Sequence, residues 1–171
     1  MFCTRFNLII IMVLFFMTQL SAKRGPQNEQ VWVKSDNGKY QCLVETRTGT
    51  VTVVETGKRN KILWKIKIKG FSSYFSKVYL SDTGDYLIHN KSNHRVRNIA
   101  DTALEIHKKN GKSKSFQAKD FIDKLQENKR RTSVCPKFLW LKHIGPLKAD
   151  SFSLINAKGE EKTIKVKKQQ P

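Results

Sequence analysis

The chain has 171 residues, and 33 Lys or Arg against 14 Asp or Glu give it a formal charge of +19. Hydrophobic residues at 39% and charged residues at 27% exclude a disordered acidic tail and a polytopic membrane protein. Three cysteines are too few for a disulfide-stapled scaffold or a four-cysteine zinc site, and the length suits one domain with a real core.

The chain begins with Arg5, then ten unbroken apolar residues from Leu8 to Met17, then the polar, small stretch Thr18 to Ala22. This is the three-part layout of a secretory signal peptide, with cleavage expected after Ala22. A spanning helix needs about 20 apolar residues, so an uncleaved anchor is the lesser alternative. Cleavage takes 22 of the 171 residues and leaves 149, and because only Arg5 is charged among them the net charge becomes +18. A secreted or periplasmic protein with no remaining transmembrane span is expected. Cys42 and Cys135 stay in the mature chain. In an oxidising compartment they are candidates for a disulfide closing 93 positions, worth about 4 kcal/mol by loop entropy. Two buried free thiols on different strands are the alternative.

Residues 23–30 are polar and carry Gly25-Pro26, which marks a flexible lead-in. From Val31 the apolar period is two. Val31 and Val33 start it, Ser35-Asp36-Asn37-Gly38 turns the chain, and Tyr40 to Val44 form the next strand. Gly49 and Gly57 mark turns around Val51 to Val54, and Ile62 to Ile68 close the unit. The same order recurs 46 positions later, where Lys77 to Leu80 lead into Ser81-Asp82-Thr83-Gly84-Asp85-Tyr86. Ala103 to His107, a turn at Asn110-Gly111 and Lys114 to Phe116 complete that second unit. A poorer third copy runs through Phe138 to Leu141, Phe152 to Ile155 and Thr163 to Val166, ahead of a basic tail at 167–171. Ala118, Phe121, Ile122 and Leu125 fall at helical spacing, which predicts one short helix near 118–130.

Units of this kind look like propeller blades, but a closed propeller of four or more blades does not fit in 149 residues. The expected fold is therefore mainly β. It consists of two to three blade-like antiparallel β-meanders packed together over residues 31–166, as a partial propeller or a sandwich. A plain β-sandwich whose matching turns are coincidental is the simpler alternative.

The largest chemical feature is the basic excess. Lys65, Lys67 and Lys69 alternate with apolar residues, which puts their ammonium groups on one strand face. Lys165 and Lys167 repeat the device, Lys108, Lys109, Lys112 and Lys114 crowd one hairpin, and Lys129, Arg130 and Arg131 crowd another junction. Such a surface attracts polyanions. The competing role of these lysines is to protect strand edges and keep the chain soluble. Asn90, Asn93, His94 and Arg95 form a polar loop, which is either a ligand site or an ordinary connection between strands. Asn90-Lys91-Ser92 also matches the N-glycosylation acceptor pattern. Trp32, Trp64 and Trp140 keep step with inward apolar positions and are expected in the core rather than in a stacking platform for sugars or bases.

No catalytic constellation emerges, and the chain reads as no enzyme. None of His89, His94, His107 and His143 sits in a helical HxxxH pair or beside a carboxylate at zinc spacing, so no metal site and no cofactor are expected. Asp36, Asp82 and Asp85 stand in Asp-x-Gly settings typical of hairpin turns.

The paired Ser35-to-Tyr40 and Ser81-to-Tyr86 turns, the polar Asn/His loop and the Leu104-to-Lys112 hairpin resemble a group of exported bacterial proteins with β-propeller-like repeats and no assigned activity. The resemblance spans roughly residues 31–166. It implies a β-rich, exported, non-catalytic domain, and the lysine load departs from the group. The expected function is a binding module for an anionic polymer or cell-envelope surface. The alternatives are a structural protein that completes its β-architecture as a homo-oligomer, and a hydrolase using the polar loop and His107.

Overall fold

Period-two alternation builds every sheet in the computed structural model, which describes residues 29–57, 61–72, 76–91, 95–124 and 138–166. The first sheet is an antiparallel meander of β1 (Gln30–Lys34), β2 (Tyr40–Glu45), β3 (Thr50–Glu55) and β4 (Lys61–Lys67). The second contains β5 (Lys77–Leu80), β6 (Tyr86–Asn90), β8 (Thr102–Lys108) and β9 (Ser113–Gln117), in the order β5-β6-β8-β9. Between β6 and β8 the short β7 (Arg95–Val96) leaves the sheet to pair with β10 (Phe138–Leu139). The third sheet has three strands, β11 (Leu141–Leu147), β12 (Ser151–Asn156) and β13 (Glu161–Lys165). The molecule is mainly β, with blade-like antiparallel sheets packed on one another and no closed barrel among the described residues.

The second sheet lies in the middle because both of its faces are buried. Tyr86, Ile88, Leu104 and Ile106 join a core with Trp140, Leu141, Phe152 and Leu154 of the third sheet. Val78, Leu80 and Leu87 join a separate core with Cys42, Val51, Val53 and Trp64 of the first. β6 carries both sets in alternation, and all five of its residues are buried. Burial of this kind contributes about 1.5–3 kcal/mol per large apolar side chain.

The repeated turns are structurally equivalent. The Ser35 N–H donates to the Tyr40 carbonyl at 2.9 Å and the Ser81 N–H to the Tyr86 carbonyl at 3.1 Å. The Tyr40 and Tyr86 N–H groups return bonds to the serine hydroxyls at 3.1 and 3.2 Å. Gly38 and Gly84 occupy the left-handed region at φ 70° and 68°, where a side chain is strained. The two turns also touch, since the Asn37 N–H donates to an Asp82 carboxylate oxygen at 2.8 Å. Trp64 Nε1–H donates to the Gly84 carbonyl at 2.6 Å, and the Tyr86 hydroxyl reaches the Lys148 carbonyl at 2.7 Å. Each turn is thereby tied to its neighbour, from first sheet to second to third.

Over the described part of the 118–130 span there is a single 3-10 turn, Ala118–Asp120. The Ala118 and Lys119 N–H groups donate to the carbonyls of Asp101 and Ile99, which fixes the turn against that loop. Phe121 and Ile122 are buried as their spacing suggested, and Leu125 lies outside the described residues. Trp64 and Trp140 are core residues, whereas Trp32 is 50% exposed because it alternates with Val33, which packs into the core across from Cys42, and so lies on the outer face of the first sheet. Cys42 is a buried free thiol, and burial, opposed by a hydrogen bond to the Val33 backbone, pushes it up to about 12. Its candidate partner Cys135 lies outside the described residues, as do the leader and the basic tail. Among the described residues no helix is long and apolar enough to cross a membrane.

Candidate functional site

Strand β8 places two polar features on its opposite faces. Ile106 points toward the third sheet, with Lys108 two residues on along the same face. Lys114 on β9 stands directly across from Ile106 in the register. Where the start of β9 lies beside the end of β13 a cleft of about 500 Å³ opens, lined by Ile106, Lys108, Lys112, Ser113, Lys114, Lys165 and Val166. Its apolar floor is Ile106 and Val166, both buried, and four lysines form its walls. The Lys114 Nζ sits 4.8 Å from the centroid of the Phe116 ring, a cation–π contact that orients this side chain.

Three of the lysines expected from sequence, Lys108, Lys112 and Lys114, therefore converge, and Lys165 joins them from another sheet. Lys109 is exposed outside the cleft lining, with its N–H bonded to the Asp85 carbonyl. Lys65 and Lys67 stand exposed on β4 of the first sheet, opposite Thr52 and Thr50, and Lys69 follows them. Arg130 and Arg131 lie outside the described residues. The polar loop does not gather as a unit where it is described. Asn90 is fully buried at the end of β6 and Arg95 is exposed in β7, while Asn93 and His94 lie outside the described residues. Because Asn90 is wholly shielded, its acceptor motif is closed to a glycan in the folded chain.

The opposite face of β8 carries Glu105 and His107, and the register sets His89 of β6 directly across from Glu105. His89 Nδ1 lies 3.3 Å and His107 Nε2 3.4 Å from the same oxygen, Glu105 Oε2. The other carboxylate oxygen accepts from the Lys91 ammonium at 2.8 Å. The outward ring nitrogens are held by hydroxyls, His89 Nε2 by Ser76 at 3.0 Å and His107 Nδ1 by Ser113 at 2.8 Å. Phe71 stacks on His89 with centroids 5.6 Å apart. Burial lowers the affinity of both imidazoles for a proton, against the opposing pull of Glu105. Burial alone would raise Glu105, but the hydrogen bonds from Lys91 and His89 and the Lys91 charge outweigh it and hold the carboxyl below its ordinary value. The resting cluster is two neutral imidazoles around one ionised carboxylate.

This cluster escapes linear spacing because its members come from paired strands. The one local signal is Glu105-Ile106-His107, a carboxylate and an imidazole two apart, which share a face only if the segment is a strand. His89 joins through a pairing 16 residues distant.

No protein-family model matches the chain, and comparison with curated proteins and with solved structures returns no relative.

Proposed function

We propose that this chain is an exported, non-catalytic β-domain that binds an anionic polymer or envelope surface through the cleft between β9 and β13. The observation that carries this reading is the convergence of Lys108, Lys112, Lys114 and Lys165 around an apolar floor. Four ammonium groups at one opening focus a positive potential that adds to the chain's overall excess of cations. Lysines supply a field of point charges rather than a bidentate fork, which suits a repeating anion more than one fixed phosphate. Export rests on the leader sequence, and kinship with exported blade-repeat proteins rests on the paired turns. A sulfated glycan oligomer, fluorescently labelled, tests the reading against the mature chain. The affinity should fall steeply and linearly on a logarithmic salt axis. Replacing the four lysines with Gln should lower that slope by up to about four. Salt-independent binding, or a slope unchanged in the variant, would overturn the proposal.

A second reading, self-association, is favoured by edge strand β1. Val31 is 43% and Trp32 50% exposed there, beside a groove of about 330 Å³ lined by Val33, Val44, Phe71 and Val78. An exposed apolar edge is a template for another strand. A monomer at high concentration in sedimentation equilibrium would remove this reading.

A further inference from the structure

We propose that His89, Glu105 and His107 form a binding site for a divalent first-row metal ion of the zinc type. Their ligand atoms all lie within 4.8 Å of one another, on two paired strands that fix the Cα positions. Two edges of the donor triangle, 3.3 and 3.4 Å, match the separation of about 3.3 Å that tetrahedral geometry gives for metal–ligand bonds of about 2.0–2.1 Å. The nitrogen–nitrogen edge is the one that must shorten. The His107 Nε2 that faces this edge is buried, with the Glu105 carboxylate oxygen 3.4 Å away and no closer hydrogen bond to hold it there.

The surroundings are those of a metal site's outer layer. Ser113 and Ser76 hold the ring nitrogens that face away from the triangle, and a hydroxyl serves either imidazole tautomer, accepting from an N–H or donating to a bare nitrogen. With Ser76 accepting from Nε2–H of His89, the Nδ1 lone pair is released toward the centre. Lys91 occupies Oε1 of Glu105 and so leaves Oε2 as a single, oriented donor. The Glu105 side chain is 15% exposed, so the cluster is not wholly sealed from solvent. The Lys91 charge opposes a cation at this place, and that opposition gives the proposal its sharpest consequence.

The probe is Zn²⁺ alone, titrated calorimetrically into the chelator-treated mature chain, with Co²⁺ absorption as a direct report of coordination. One ion per chain is expected. His107→Gln and Glu105→Gln should each weaken binding about 100-fold or more and abolish the tetrahedral Co²⁺ bands. A control removing the other two imidazoles, His94→Gln with His143→Gln, should keep full stoichiometry and spectrum. Lys91→Met keeps every donor and deletes the opposing charge, so it should bind about tenfold tighter. If His107→Gln does not fold, the control and the Lys91 variant decide the matter. No stoichiometric ion in the wild-type chain, loss of the ion in the control, or weaker binding in Lys91→Met would each overturn the proposal. The three side chains would then be a hydrogen-bonded network only.

Discussion

The two faces of β8 received opposite treatments from one stretch of seven residues. On the side of the third sheet Leu104 and Ile106 are apolar and run out into the lysine cleft. On the side of the first sheet Glu105 and His107 are enclosed with His89 and Lys91. The first face keeps its charges at the solvent edge, where hydration costs nothing. The second takes charges inward and must satisfy each by a partner, which is the condition for burying them at all. A strand that alternates can hold an open electrostatic surface and a closed polar cluster one residue apart, with Ser113 lining the first and bonding to His107 of the second.

Breaking the apolar face should have the largest effect. Leu104→Ala empties a fully buried site between the second and third sheets, and should cost about 3 kcal/mol in urea unfolding. A loss under about 1 kcal/mol would mean that this interface is looser than described. The paired turns allow a contrast of the same kind. A Cβ at Gly84 would sit 2.8 Å from the Tyr40 ring, whereas one at Gly38 would meet nothing within 4 Å. Both substitutions to Ala carry the left-handed backbone cost of about 1 kcal/mol. Gly84→Ala should add about 1–2 kcal/mol more by overpacking, and equal losses would contradict the contact between the first two units.

On the polar face, Glu105→Gln leaves Lys91 and both imidazoles without their anion. Because Lys91 is partly exposed, the cost in metal-free protein should be about 1–2 kcal/mol. Acid should act on this face. Both histidines bind protons less readily in the folded chain than at the ordinary value of 6.5, so as pH falls below 6.5 the unfolded chain takes up protons first. The stability present above pH 6.5 is therefore lost progressively as pH drops through the lowered folded values. Glu105, also lowered, extends the loss below its ordinary 4.5. Urea midpoints measured between pH 8 and pH 5 on metal-free protein should fall, and should fall less in a His107→Gln variant. A flat profile would contradict the buried, neutral state of the imidazoles.

The sheets were legible in the sequence because their two signals are local. Apolar alternation marks the strands, and Ser-Asp-x-Gly-x-Tyr encodes the same hydrogen-bonded turn at 35–40 and 81–86. The stripe Ala118, Phe121 and Ile122 told burial correctly but not how far the helix runs. Its described part is held by the Ile99 and Asp101 carbonyls, a distant partner that periodicity does not encode. The lysines were legible as cations but not as a group. Lys114 and Lys165 meet because two sheets stack, while Lys65 and Lys67 stand on another sheet. The imidazole–carboxylate cluster depended on the register that sets His89 opposite Glu105, and strand pairing between separated segments leaves no trace in residue spacing.

The most direct test of the separation between these surfaces is lysine-selective acetylation of the mature chain, read residue by residue with and without a saturating sulfated oligosaccharide. Lys108, Lys112, Lys114 and Lys165 should be shielded together while Lys65, Lys67 and Lys69 keep their reactivity. Uniform shielding of all seven, or protection confined to β4, would contradict it.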